Sequence, residues 1–201
     1  RQMCIRDSFC PPRRSRRWRT RNRLHVERTS GFMRVTLSAE NSPMMKKSGS
    51  SHSPKILAVA STGGHWEQLM QIAPAFEGGS VTFACTDARQ ADHYDLPAFL
   101  SLRDYNQNEP LKMLRGLGET FVLVNRLRPD VILSTGAAPG LLCLLWGRVF
   151  GAKTIWIDSI ANSEKLSLSG KLARKFCHVT LTQWEHLAQK ESRPAYWGSV
   201  I

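Results

Sequence analysis

From Lys55 onward, short apolar runs without polar alternation are separated by stretches at helical spacing, and few folds accept that pattern. Ile56-Leu57-Ala58-Val59-Ala60, Val81-Thr82-Phe83-Ala84-Cys85, Val131-Ile132-Leu133-Ser134 and Thr154-Ile155-Trp156-Ile157 read as strands, with weaker runs at 98–102 and 178–182. Between them, residues 65–76 place Trp66, Leu69, Met70 and Ala73 at helical spacing, and Pro110 opens a helix that runs to 127. Residues 140–150 form a nearly all-apolar helix stopped by Gly151, and residues 169–176 a basic one. Strands that lack alternation are covered on both faces, and strand–helix alternation makes parallel crossovers. The predicted fold is α/β, a doubly wound, Rossmann-like parallel sheet whose ligands bind beyond the carboxyl ends of the strands.

The formal net charge of +12 is unevenly distributed along the 201 residues. Residues 1–54 hold 13 Lys/Arg against 3 Asp/Glu, leaving 15 against 13 in residues 55–201. The Arg-rich run at 13–23 has no sustained apolar periodicity, and like charges with little to bury predict disorder. Residues 1–54 are therefore expected to be a disordered basic tail and linker. The opening Arg1-Gln2-Met3-Cys4-Ile5-Arg6-Asp7-Ser8 reads as translated adapter sequence, and Met33, Met44 and Met45 all offer later starts. Met45-Lys46-Lys47, with the Ser/Gly linker behind it, resembles a bacterial opening, so the tail is expected to be in part an artefact. A tail of this charge also admits an arm for nucleic acid or anionic lipid.

The five cysteines (Cys4, Cys10, Cys85, Cys143 and Cys177) include no C-x-x-C pair, so buried free thiols in a reducing compartment are expected and no metal site. Residues 131–146 are the most hydrophobic stretch. They fall short of the ~20 apolar residues of a membrane span, and Ser134, Thr135, Gly136, Pro139 and Gly140 interrupt them. No signal-peptide pattern precedes the body, because its Arg-rich start is not followed by an apolar core.

Three strand ends carry the chemistry. The first is Ser61-Thr62-Gly63-Gly64-His65, where adjacent glycines permit a tight turn and the helix behind them points N–H groups at an anion. The spacing is not G-x-G-x-x-G, so no nicotinamide cofactor is expected, and none of another kind is indicated. The second is Ser134-Thr135-Gly136-Ala137-Ala138-Pro139-Gly140, of the same design; anion binding and close helix–sheet packing both account for it. The third is Asp158-Ser159-Ile160-Ala161-Asn162-Ser163-Glu164. Asp158 stands where an apolar strand meets solvent, a position suited to a catalytic carboxylate and equally to a cap or Asx turn.

Together with Leu166-Ser167-Leu168-Ser169-Gly170 and Tyr196-Trp197-Gly198-Ser199-Val200, these motifs resemble the acceptor-binding subunits of bipartite glycosyltransferases, over essentially all of 55–201. That family includes the membrane-recruiting subunit of the dolichol-pathway N-acetylglucosaminyltransferase and bacterial exopolysaccharide homologues. The resemblance implies the N-terminal half of a GT-B enzyme, working with a separate donor-binding subunit on a polyprenyl-diphosphate-linked saccharide. It places Ser61, Thr62, Gly63, Gly64, Thr135, Gly136 and Gly140 at the acceptor diphosphate. His65 and Asp158 become catalytic candidates, and Ser159, Asn162 and Glu164 the acceptor-sugar residues. Eukaryotic relatives begin with a transmembrane anchor, whereas residues 55–201 show none. Peripheral contact with the inner face of the plasma membrane, from the cytoplasm, is then expected through Lys112, Arg115, Arg126 and Arg128 on the long helix and Lys171, Arg174 and Lys175 on the basic one. A nucleotide-binding α/β enzyme of another class is the alternative. Nucleic-acid binding rests on the tail alone and is not expected of the body.

Overall fold

The structure, a computed structural model, describes residues 22–29, 32–39, 53–94, 96–104, 110–188 and 193–200. Two of these segments lie in the region expected to be disordered. Their backbones pair as a two-stranded antiparallel sheet, β1 (Asn22–Thr29) and β2 (Phe32–Ala39). The register sets Leu24 opposite Leu37 and Val26 opposite Val35, an every-second-residue pattern that the arginine count conceals. The expectations for the Arg-rich run before residue 22, for Cys4 and Cys10, and for Met45 lie outside the described residues.

The body is built on β3 (Lys55–Ala60), β4 (Ser80–Cys85), β5 (Phe99–Ser101), β6 (Val131–Ser134), β7 (Lys153–Ile157), β8 (Val179–Thr182) and β9 (Ala195–Tyr196). All pair in parallel, in the order β5-β4-β3-β6-β7-β8-β9. Six of the seven follow from the apolar runs, as expected. Successive residues of β3 serve opposite faces, and this is why the strand cannot alternate polar and apolar. Ile56, Ala58 and Ala60 join one core cluster with Trp66 and Phe83; Leu57 and Val59 join another with Ile132 and Trp156.

The connecting helices are α1 (Gly64–Ile72), α2 (Gln90–His93), α3 (Pro110–Leu127), α4 (Ala137–Val149) and α5 (Leu168–Phe176). α1 packs on the first cluster, whereas α4 and residues of α3 and α5 cover the second. α4 begins three residues before the expected start. Pro139 then falls in its first turn, where a missing N–H breaks no helical bond. Gly151, at φ 86, follows the helix end.

Strand order reverses between β3 and β6: β4 and β5 extend to one side, β7, β8 and β9 to the other. The carboxyl ends of these two neighbours flank the crevice in which a doubly wound sheet receives its ligand.

Candidate functional site

Gly63 is the N-cap of α1 at φ 79, ψ −144, a conformation open to glycine, and no side chain caps the helix. Thr62, Gly63 and Gly64 are exposed, and a Cβ on Gly64 would meet nothing within 4 Å. Ser61 is half-buried. The Thr62 N–H donates to Thr86 Oγ1 at 3.0 Å, tying the turn to the end of β4. This loop presents backbone and helix dipole to open space.

The second loop is closed. Ser134 and Thr135 are fully buried, as is Gly136. Gly136 caps α4 without help from a side chain, at φ 156 and ψ 179, and Ala137 follows at φ 67. A Cβ on Gly136 would collide with Nδ1 and Cε1 of His65, so the missing side chain makes room for the imidazole. A Cβ on Gly140 would collide with Ser134 Oγ. Gly140, expected at a ligand, is instead where α4 rests on β6. Of the two accounts open for this loop, close packing describes Gly140, and Gly136 makes its close approach to a neighbouring side chain.

Two bonds join these loops. His65 Nδ1 lies 3.0 Å from the Thr135 carbonyl oxygen, and Thr135 Oγ1 donates to the His65 carbonyl at 2.7 Å. Ser134 Oγ braces the turn, 3.2 Å from both the amide and the carbonyl of Gly136. The sheet order brings the two glycine motifs together at the switch point, although about seventy residues separate them.

Asp158 departs from its expected catalytic role. It is 1% exposed. Oδ1 accepts from Ser167 Oγ at 2.6 Å and from Trp156 Nε1 at 3.2 Å, and Oδ2 from the Ser167 N–H at 2.9 Å. Ser167 in turn caps α5 by accepting from the Gly170 N–H at 2.8 Å. With both oxygens engaged inside the protein, the carboxylate pins the start of α5 and is not presented to a substrate. Glycine at 170 is required by the same group, because a Cβ there would sit 2.8 Å from Asp158 Oδ1.

The loop between Asp158 and Ser167 divides into inner and outer residues. Ser159 is buried; its hydroxyl accepts from Gln68 Nε2 and the Ala161 N–H, each at 3.3 Å, which withdraws it from the expected sugar contacts. Asn162 is half-buried and Glu164 exposed. Trp184 Nε1 donates to the Ile160 carbonyl at 2.8 Å, and His186 Nε2 to that of Ser163 at 2.6 Å. Gln68, Trp184 and His186 were not foreseen. Gln68 is 3% exposed and its Oε1 has no hydrogen-bond partner. A polar residue beside Trp66, Leu69 and Ile72 on the buried side of α1 was its one sequence signal.

Cys85, Cys143 and Cys177 are buried and free. Burial pushes the Cys143 and Cys177 thiols up to about 12. Among the described residues no His, Cys, Asp and Glu gather in a group able to hold a metal, and no helix is long and apolar enough to cross a membrane.

Residues 84–200 match the family described as oligosaccharide biosynthesis protein Alg14 like. The chain belongs to this family. Similar proteins include the UDP-N-acetylglucosamine transferase subunit ALG14 of Eremothecium gossypii, 24% identical over 77% of this chain and 84% of that one. The human protein of that name is 24% identical over 73% and 82%. Among solved structures, Acinetobacter baumannii MurG superposes with a TM-score of 0.59 at 13% identity. A UDP-N-acetylglucosamine 2-epimerase from Rickettsia bellii does so with 0.57 at 14%. The chain covers 46% of each of those structures, and they cover 73% and 74% of it. This Alg14-like chain has the Rossmann-like fold that forms one half of a GT-B glycosyltransferase.

Proposed function

We propose that this chain binds the acceptor for a two-component glycosyltransferase, in which a separate donor-binding subunit completes the active site. The chain is a glycosyltransferase subunit of oligosaccharide biosynthesis; its relatives carry the name UDP-N-acetylglucosamine transferase subunit. The observation that carries the finer reading is the exposed Thr62-Gly63-Gly64 turn at an uncapped helix start, beside His65 and at the switch point of the sheet. First-turn amides without a side-chain cap bind anions, and a diphosphate joined to a polyprenyl chain is the anion such an acceptor offers. Ser61, Thr62, Gly63 and Gly64 line that anion site, and Asn162 and Glu164 face the acceptor sugar.

His65 is the base in this reading. An acceptor hydroxyl attacks the anomeric carbon of the nucleotide sugar, His65 takes the hydroxyl proton, and the nucleoside diphosphate leaves with the bonding electron pair. The test is reconstitution. The purified chain alone should not turn over UDP-N-acetylglucosamine with a polyprenyl-diphosphate-linked saccharide, and adding the donor-binding subunit should restore transfer. Robust turnover by the chain alone rules out the split enzyme.

Peripheral membrane contact belongs to the same proposal. Leu114, Phe121 and Val122 are exposed on α3, with Lys112, Arg115 and Arg126 also exposed on that helix. Phe121 stacks edge-on with Trp146 at 5.0 Å between centroids, extending the apolar surface to α4. Leu168 and Leu172 repeat the design on α5 beside Lys171 and Lys175. Apolar side chains ringed by cations suit the anionic headgroups of a cytoplasmic leaflet. Co-sedimentation with anionic but not zwitterionic vesicles, lost in Leu114→Glu/Val122→Glu, checks it. The acceptor-binding domain of this proposal is residues 55–201, against whose residues 73–76 β2 packs. Deleting residues 1–44 leaves the exposed Thr62-Gly63-Gly64 turn in place and should leave reconstituted turnover unchanged.

A further inference from the structure

The geometry points to Thr135 and Gly136 as positioning residues that hold the neutral imidazole of His65 as its Nδ1–H tautomer, leaving the lone pair on Nε2. The catalytic consequence rests on the proposal that His65 is the base; the tautomer itself does not. A carbonyl oxygen only accepts, so the ring nitrogen 3.0 Å from Thr135 O must carry a hydrogen. A neutral imidazole has one N–H, and Nε2 is therefore the proton acceptor. In the opposite tautomer Nε2 would present an N–H to the acceptor hydroxyl and could take no proton from it.

Three features keep the ring in this state. Thr135, fully buried, returns a bond from Oγ1 to the His65 carbonyl at 2.7 Å, so the residues are joined by a reciprocal pair of bonds. The ring lies against the Cα of Gly136, in space that any Cβ would fill, and at φ 156 a side chain would also be strained. Ser134 Oγ holds both the amide and the carbonyl of Gly136, fixing the surface on which the ring rests. The second glycine loop thus serves the histidine of the first.

Nitrogen NMR of the full chain labelled with ¹⁵N-histidine tests this without any ligand. His65 is assigned by the signal lost in His65→Asn, at a pH where the ring is neutral. The expected result is a pyrrole-type Nδ1 and a pyridine-type Nε2. Gly136→Ala should displace the ring and mix the tautomers. Because that variant is strained and is at risk of not folding, Thr135→Val offers a second route; it removes the hydroxyl bond and should also mix them, whereas Thr135→Ser should keep the wild-type signature. A wild-type Nε2–H ring, or an unmixed Nδ1–H ring in folded Gly136→Ala or Thr135→Val, overturns the assignment. Reconstituted turnover reads the catalytic consequence separately. His65→Asn keeps a donor for Thr135 O but has nothing at Nε2, and should lose roughly 10²–10⁴-fold in kcat. Undiminished turnover there removes the base role, while the tautomer stands or falls on the nitrogen spectrum.

Discussion

The two glycine loops at the switch point look alike in sequence and differ in what their missing side chains leave behind. Gly64 faces open space, and no protein atom would meet a Cβ there. Gly136 and Gly140 face the protein: one gives its volume to the His65 ring, the other to Ser134 Oγ. The first loop leaves its space open, and the second is already full. A glycine pair in a strand–helix turn therefore specifies close approach without saying whether the approaching atoms belong to a ligand or to the fold. The third strand end falls on the filled side, since Asp158 spends both oxygens on Trp156 and Ser167.

The largest effect should come from that filled side. Asp158→Ala leaves one buried donor, Trp156 Nε1, and two half-buried ones on Ser167 without their acceptor. It should cost about 3 kcal/mol of stability, with turnover falling only as the folded fraction falls. Denaturant titration beside turnover per folded molecule reads this, and a stable but inactive Asp158→Ala would restore the carboxylate to the chemistry. Gly140→Ala should destabilise by about 1–3 kcal/mol through overpacking against Ser134. Unchanged stability with lost acceptor binding would make the two loops equivalent after all. Gly64→Ala should change stability by about 0.5 kcal/mol or less, since Ala suits a helix start with free space, yet weaken acceptor binding roughly tenfold. Titration calorimetry with a soluble polyprenyl-diphosphate analogue measures it; full affinity would close the open loop as a site.

The smallest expected effect is on Cys143, one turn beyond Gly140 in α4. Its burial disfavours the thiolate, so alkylation at pH 8 should be negligible in the native chain and should become measurable in Gly140→Ala as α4 lifts from β6. Both elevated thiols also give stability a direction in pH. Their folded values exceed the ordinary 9.0, so their contribution is whole below about 9 and is lost as pH rises toward 12, because the unfolded chain ionises first.

The strands were legible because burial on both faces forbids polar residues, so Ile56–Ala60 and Val131–Ser134 announce themselves. β9 was not, since Ala195 and Tyr196 form too short a run to show a period. The four residues of α2 carry no apolar stripe for the same reason. Strand order was invisible as well, because a parallel crossover of one length can land on either side. That order decides that His65 meets Thr135, so the central contact of the site lay beyond any local pattern. Asp158 shows the opposite limit: cap and catalyst were both written in the residue type, and only the positions of Ser167 and Trp156 separate them.

The segment from Asp158 to Ser167 is a loop whose ends are fastened to each other, through the carboxylate and the serine. Its middle is strapped from the next strand along, by Trp184 to the Ile160 carbonyl and His186 to the Ser163 carbonyl. Main-chain carbonyls are present whatever the residue, so neither strap reads the identity of position 160 or 163. The loop is in effect a cassette. Side chains between the clasp residues, exposed Glu164 among them, can be exchanged without breaking either strap, because both bonds end on main-chain oxygens.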